Sequence, residues 1–169
     1  MLTMLILSAL LVALYVGATI WSARKLPDSV SAIVYMLPRA GQWAWTVWVW
    51  AVSMLFLPSL MEVMPENLKV LGFLTVGAML FIGAMPLVRN EKNTAHYVLA
   101  IAAGILSQVC VAILSSIWLT AWMLFPFLMG SVYVQPWGWL GKAMAGKGVF
   151  VAEAVCWLTL TGCLIESIT

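Results

Sequence analysis

Residues 97–141 read YVLAIAAGILSQVCVAILSSIWLTAWMLFPFLMGSVYVQPWGWLG and contain no charged side chain. A helix that crosses the hydrocarbon core of a bilayer, about 30 Å thick, needs about 20 apolar residues. The run is therefore too long for one membrane span and long enough for two, with a turn near Ser115 and Ser116. It predicts spans over about 97–115 and 118–136.

Four further apolar stretches complete the predicted fold. Uncharged runs cover residues 2–22, 41–61 and 70–88, and residues 149–167 are interrupted only by Glu153 and Glu166. The sequence thus predicts an all-α fold, a polytopic transmembrane helix bundle of six spans that forms one domain over residues 1–169.

The composition supports a membrane protein. Hydrophobic residues make up 64% of the chain, charged residues make up 8%, and the mean hydropathy is +1.07, whereas soluble domains are about 25% charged. Soluble nucleic-acid binders, cytosolic enzymes and disulfide scaffolds are therefore excluded. The three cysteines all lie in apolar runs, so we expect them to behave as small buried hydrophobic residues.

The basic residues predict the orientation in the membrane. Seven of the eight Lys and Arg residues fall in the loops after the first, third and fifth spans, and Lys69 is the exception. Because cytoplasmic loops carry an excess of Lys and Arg, we expect these loops in the cytoplasm of a bacterial inner membrane and both termini outside. Trp21, Trp43 and Trp45 would then lie at the cytoplasmic boundary of the membrane.

Loop one, residues 24–40, predicts a short amphipathic helix. Asp28 or Ser29 is a good N-cap, and apolar side chains recur at helical spacing over about 28–37. This helix would lie in the membrane interface, or would only connect the two spans. Three basic residues flank it and are expected to bind anionic lipid headgroups, at about 1 kcal/mol each: Arg24, Lys25 and Arg39.

Candidate catalytic residues share the predicted cytoplasmic face. His96 is the only histidine, and Asp28 and Ser31 lie in loop one, so His96 is placed to take a proton from the Ser31 hydroxyl while Asp28 orients the ring. The alternative is that all three are capping or interfacial residues. No metal site is expected, since only His96, Asp28 and Glu153 would converge on this face, and no cofactor is expected.

Two polar residues lie within predicted spans. Glu153 is about 8 Å into the sixth span, and an ionisable residue at that depth is a functional candidate. Its alternative role is to reach the interface and pair with Lys147 or Lys142. Gln108, near the middle of the fourth span, is expected to form interhelical hydrogen bonds, or alternatively to line a solute pathway.

Small residues are concentrated in the third and fourth spans, where they allow helices to approach closely. These two spans are therefore expected to form the centre of the bundle. Bulky replacements at Gly77 or Gly104 are predicted to disrupt the fold or its assembly.

Three short motifs carry a resemblance: PDSVSA at 27–32, GAMP at 83–86 and HY at 96–97. With these motifs the chain resembles small uncharacterised six-helix membrane proteins of bacteria and phages, and it is distantly similar to the DRAM/Sfk-like six-span families. The resemblance implies a six-helix bundle with a polar cluster where loops one and three meet, matched here by Ser31 and His96. It implies no established reaction.

Three functional hypotheses follow, in this order. The first is a non-enzymatic structural or accessory component that binds membrane lipids, a membrane protein partner or a second copy of itself. The second is an interfacial hydrolase that uses Ser31, His96 and Asp28 on an amphiphile. The third is a carrier for a small solute, with Glu153 and Gln108 on its cavity wall.

Overall fold

The computed structural model describes residues 1–38, 41–88, 94–115, 117–118 and 147–169. These residues form five long α-helices, one short α-helix and one 3-10 turn, in this order: α1 (Leu2–Ala23), α2 (Ile33–Met36), α3 (Gln42–Val63), the 3-10 turn (Glu66–Leu68), α4 (Lys69–Val88), α5 (Thr94–Leu114) and α6 (Gly148–Ile168). The predicted all-α class is confirmed for this part of the chain.

Four of the long helices are long and apolar enough to cross a membrane, namely α1, α3, α4 with its preceding turn, and α6. They match the predicted spans over 2–22, 41–61, 70–88 and 149–167 within about two residues at each end. The predicted span over 97–115 falls in α5, whose apolar part, Val98–Leu114, is shorter. Nearly all of the predicted span over 118–136 lies outside the described residues.

The helices run up and down between two ends of the bundle. At one end, which we call the terminal end, Met1, Glu62 and Ser167 line one small cavity, so the start of α1 meets the ends of α3 and α6. At the other end, which we call the loop-one end, the N–H of Phe150 in the first turn of α6 donates to the carbonyl of Asp28 at 3.1 Å. Loop one thus lies against the start of α6.

Loop one differs from the predicted interfacial helix over 28–37. A helix forms only over Ile33–Met36, because the Ser29 hydroxyl accepts a hydrogen bond from the Ala32 N–H at 2.9 Å and holds the preceding residues in a turn. The side chains of Ile33 and Val34 are 0% and 2% exposed. The apolar stripe that was expected to face lipid is therefore packed inside the bundle.

The bundle has two hydrophobic clusters. The cluster at the loop-one end joins Ile33 and Val34 to Trp45 and Val49 of α3. Trp45 was expected to anchor at the membrane boundary, but it is 2% exposed because loop one folds over it. The larger cluster, towards the terminal end, draws on all five long helices and includes Leu5, Phe56, Leu60, Val76, Cys110, Val111, Leu160 and Leu164.

The third and fourth spans, predicted from their small residues to form the centre of the bundle, are α4 and α5, and these two helices pack against each other. Of the apolar membrane-length helices α3 is the most buried, since it packs against both α1 and α4 and also touches α6. A Cβ added at Gly77 would meet no described atom within 4 Å, whereas one at Gly83 would lie 3.0 Å from the Val49 and Trp50 side chains. Within the described residues, the close helix contact of this span is therefore at Gly83 and not at Gly77.

Polar side chains also join the helices. The Ser8 hydroxyl donates to the Val52 carbonyl at 3.2 Å, and the Thr46 hydroxyl donates to the Gly83 carbonyl at 2.7 Å. The indole N–H groups of Trp48 and Trp50 donate to carbonyls of α1 and α4, each at 3.0 Å. These bonds fix α3 between α1 and α4 and hold the walls of the site described next.

Candidate functional site

A cavity of about 1550 Å³ lies among the long helices and loop one. All five long helices contribute to its wall, which is mostly aliphatic and aromatic. This volume exceeds the roughly 300–1,000 Å³ typical of small-molecule pockets. Six described polar residues lie on the wall: Ser29, Ser31, His96, Ser107, Gln108 and Glu153.

In the described part of the chain, the cavity is open beside α5 and α6. Ile101, Ile105 and Leu158 all line it, and they are 62%, 61% and 56% exposed. These three residues lie well inside the apolar part of their helices. The opening is therefore apolar, whereas Ser29, Ser31, His96 and Glu153 place polar groups at the loop-one end of the cavity.

Loop one and α6 are tied together by reciprocal hydrogen bonds. The Glu153 carboxyl accepts from the Val30 N–H at 2.5 Å and from the Ser31 hydroxyl at 3.5 Å. In return, the carbonyl of Asp28 accepts from Phe150, which satisfies one of the N–H groups left free at the start of α6. Loop one and α6 thus each provide hydrogen-bond acceptors for N–H or O–H groups of the other.

A salt bridge adds to this tie on its outer side. The Lys147 ammonium donates to the Asp28 carboxylate. This hydrogen bond and the positive charge of Lys147 hold the pKa of Asp28 below its ordinary value, and Lys25 lowers it further. The Asp28 side chain is 81% exposed, so the pair lies at the surface rather than in the cavity.

The proposed catalytic residues are only partly brought together. Ser31 and the partly buried His96 line the same cavity. The Ser31 hydroxyl lies 3.0 Å from the Ser29 hydroxyl and donates to Glu153, while Asp28 lies outside the cavity wall and pairs with Lys147. The acidic group next to Ser31 is therefore Glu153, not Asp28.

The two polar residues expected within the spans make different contacts. Lys147 binds Asp28, and the described partners of Glu153 are in loop one, so the expected pairing of Glu153 with Lys147 does not form. The other proposed partner, Lys142, lies outside the described residues. Gln108 joins α5 to α6: its amide nitrogen donates to the Cys156 carbonyl and its oxygen accepts from the Thr159 hydroxyl, each at 3.2 Å.

The basic residues proposed to bind headgroups lie at the loop-one end. Arg24 ends α1 with a left-handed backbone (φ 54°), and its guanidinium lies 5.4 Å from the Trp21 ring centroid, within range of a cation–π interaction. Lys25 is exposed. Arg39 lies outside the described residues.

Metal ligands do not cluster in the described part of the chain. Within it, no group of three or more His, Cys, Asp and Glu side chains is placed to hold a metal ion.

Comparison with known proteins adds no relative. No family model, curated protein or solved structure matches the chain. The similarity to six-span bacterial and phage proteins and to the DRAM/Sfk-like families stays a prediction.

Sequence reasoning missed the role of Glu153 in holding loop one. The signal was present, because an acidic residue just inside a span on the side of a polar loop can accept that loop's N–H groups. The fold of loop one could not be predicted from the sequence. This fold brings Val30 within hydrogen-bonding distance of Glu153 in α6.

Proposed function

We propose that this protein is a six-span membrane protein that binds the apolar part of a lipid or similar amphiphile in its cavity. The observation that carries the proposal is the cavity itself, which is apolar where it opens beside α5 and α6 and polar at the loop-one end. An amphiphile has the same division into an apolar chain and a polar head. The proposal develops the hypothesis of a lipid-binding accessory component.

The positions of α5 and α6 support six spans. Trp118 follows α5, and its indole N–H donates to Glu166 near the terminal end of α6. Lys147 precedes α6 and pairs with Asp28 at the loop-one end. The chain thus leaves the described part at one end of the bundle and returns at the other, which is the connection that a span over 118–136 would make.

The distribution of charge supports the proposed orientation. Arg24, Lys25 and Lys147 lie at the loop-one end, whereas Lys69 lies at the terminal end and pairs with Glu66 at 2.5 Å. Under the positive-inside rule, this distribution favours the proposed orientation, with the loop-one end in the cytoplasm of a bacterial inner membrane. Arg24 and Lys25 would there meet anionic headgroups.

Lipid chains enter such a cavity with little hydrophobic gain, because the surrounding bilayer is equally apolar. Binding must therefore come from shape and from the polar end of the cavity. Filling the cavity near its wall should block binding without any change in surface charge. Gly17 offers such a position, because it lines the cavity and a Cβ added there would meet no described atom within 4 Å.

The test is cross-linking to a phosphatidylcholine that carries a photoactivatable diazirine in its acyl chain, with the protein in nanodiscs of unlabelled phosphatidylcholine. We expect label on the cavity-lining segments of α5 and α6, and a several-fold loss in Gly17→Phe. Gly77→Phe is the matched control, because Gly77 is also free of described neighbours within 4 Å but does not line the cavity. Equal labelling of these segments in all three proteins would overturn the proposal.

The second candidate is the interfacial hydrolase, favoured by the presence of Ser31 and His96 on one cavity wall. The acidic group next to its serine is Glu153, which accepts from the Ser31 hydroxyl, whereas Asp28 pairs with Lys147. A long-chain fluorophosphonate should then label the folded protein, and Ser31→Ala should abolish the label while Ser29→Ala keeps it. Absence of labelling in the folded wild-type protein rules this candidate out.

A further inference from the structure

The polar end of the cavity contains a carboxyl group with unused hydrogen-bonding capacity. Glu153 lines the cavity and accepts from the Val30 N–H at 2.5 Å and, more weakly, from Ser31 at 3.5 Å. A carboxylate has about four lone-pair sites. Glu153 can therefore accept further hydrogen bonds from a molecule in the cavity.

Neither of the two ion pairs in the described part of the chain includes the Glu153 carboxyl. They are Lys69–Glu66 at the terminal end and Lys147–Asp28 on the outer side of loop one. A charge in apolar surroundings is costly unless it is paired or hydrogen-bonded. A ligand group with hydrogen-bond donors and a positive charge would stabilise the Glu153 carboxylate on this cavity wall.

Two serine hydroxyls extend the same polar surface. Ser29 and Ser31 lie 3.0 Å apart and both line the cavity beside Glu153. A hydroxyl both donates and accepts, so this pair can bind an amine or an alcohol. An acidic head would instead bring a second negative charge next to Glu153.

We propose that the cavity selects amphiphiles whose polar end is a protonated amine, bound by Glu153 with help from Ser29 and Ser31. This inference rests on the proposed function and adds the chemical class of the ligand's head. The apolar chain of the ligand runs along α5 and α6, past Gly104 and Leu158, both of which line the cavity. The amine lies at the loop-one end, where its charge is paired with the carboxylate.

The experiment compares three photoactivatable probes with the same diazirine-bearing chain and different heads: a primary amine, an alcohol and a carboxylate. Each is added to the protein in phosphatidylcholine nanodiscs. Because hydrogen bonds to charged groups contribute about twice as much as neutral ones, we expect the amine to label the cavity about tenfold more than the carboxylate. The alcohol should lie between them.

Two variants separate the Glu153 charge from the tie between loop one and α6. Glu153→Gln keeps the size and an acceptor oxygen, and it should abolish the preference for the amine over the alcohol. Asp28→Asn removes a negative charge that also lies in loop one, but this charge pairs with Lys147 outside the cavity. This variant should keep the preference for the amine. Loss of the preference in both variants would attribute it to loop position and overturn the assignment to Glu153.

A wild-type measurement keeps the inference testable if Glu153→Gln fails to fold. Unlabelled dodecylamine should displace the amine probe at concentrations about tenfold lower than dodecanoate. The head-group inference would be overturned if dodecylamine and dodecanoate displaced the probe equally well. The proposed function would remain intact if Gly17→Phe still blocked labelling by all probes. If Gly17→Phe were labelled to the same extent as the wild type, the proposed function itself would be overturned.

Discussion

At the residue scale, glycines distinguish close helix contacts from open surface. The Gly83 carbonyl accepts from Thr46, and a Cβ at Gly83 would lie 3.0 Å from Val49 and Trp50. We expect Gly83→Ala to lower the free energy of unfolding by about 1–3 kcal/mol through overpacking. Gly77→Ala should be neutral or add up to about 1 kcal/mol through helix propensity. Thermal unfolding in one detergent compares them, and equal destabilisation by both would contradict the assigned packing.

The salt bridge between Asp28 and Lys147 should give loop one a pH dependence. Because Lys147 lowers the Asp28 pKa in the folded protein, the pair stabilises the fold fully above the ordinary Asp pKa of about 3.9. This contribution is lost as the pH falls through the lowered pKa. The melting temperatures of wild type and Asp28→Asn should therefore differ at neutral pH and converge in strong acid. A constant difference across this range would show that the pair does not titrate as described.

At the scale of elements, loop one depends on Glu153 for its position against α6. Replacing Glu153 by Ala leaves the partly buried Val30 N–H without its acceptor, and the loss of an acceptor costs a fully buried donor about 1–3 kcal/mol. The cost at Val30 should lie in the lower part of this range. Local opening of loop one should then rise about tenfold. Limited trypsin digestion after Lys25 measures this opening in the purified protein.

Glu166→Ala is the control for that digestion. Glu166 also accepts a hydrogen bond, from Trp118, but it lies at the terminal end of the same helix. Its removal should leave cleavage after Lys25 unchanged. Faster cleavage in both variants would indicate a general loosening of α6 rather than release of loop one.

At the scale of the whole molecule, the sequence predicts the long helices better than their arrangement. Apolar runs of span length depend on local composition, so helix positions such as 42–63 were predictable within about two residues. The burial of α3 depends on its packing against α1 and α4. The burial of Trp45 depends on how loop one folds over it. Such contacts between distant segments leave no periodic pattern in the sequence.

For the candidate site, too, the sequence predicted residues but not their contacts. Ser31, His96, Glu153 and Gln108 were selected one at a time from residue type and depth, and all four line one cavity. Their partners were not predictable, because the acidic neighbour of Ser31 comes from a helix 122 residues further along the chain. Asp28, the acidic residue nearest in sequence, binds Lys147 instead.

The orientation of the bundle gives the last prediction. Met1 and Ser167 line one small cavity at the terminal end. In the proposed orientation, the basic loop-one end is cytoplasmic and the terminal end is therefore predicted to lie outside. Alkaline phosphatase fused after Thr169 should be active in bacteria, and a green fluorescent protein at the same position should be dark.

A joint change of Arg24, Lys25 and Lys147 to Gln removes the described positive charge of the loop-one end. This change should reduce the preference for the orientation with Thr169 outside. An inactive phosphatase with a bright fluorescent fusion in the wild type would reverse the orientation and place the polar end of the cavity outside.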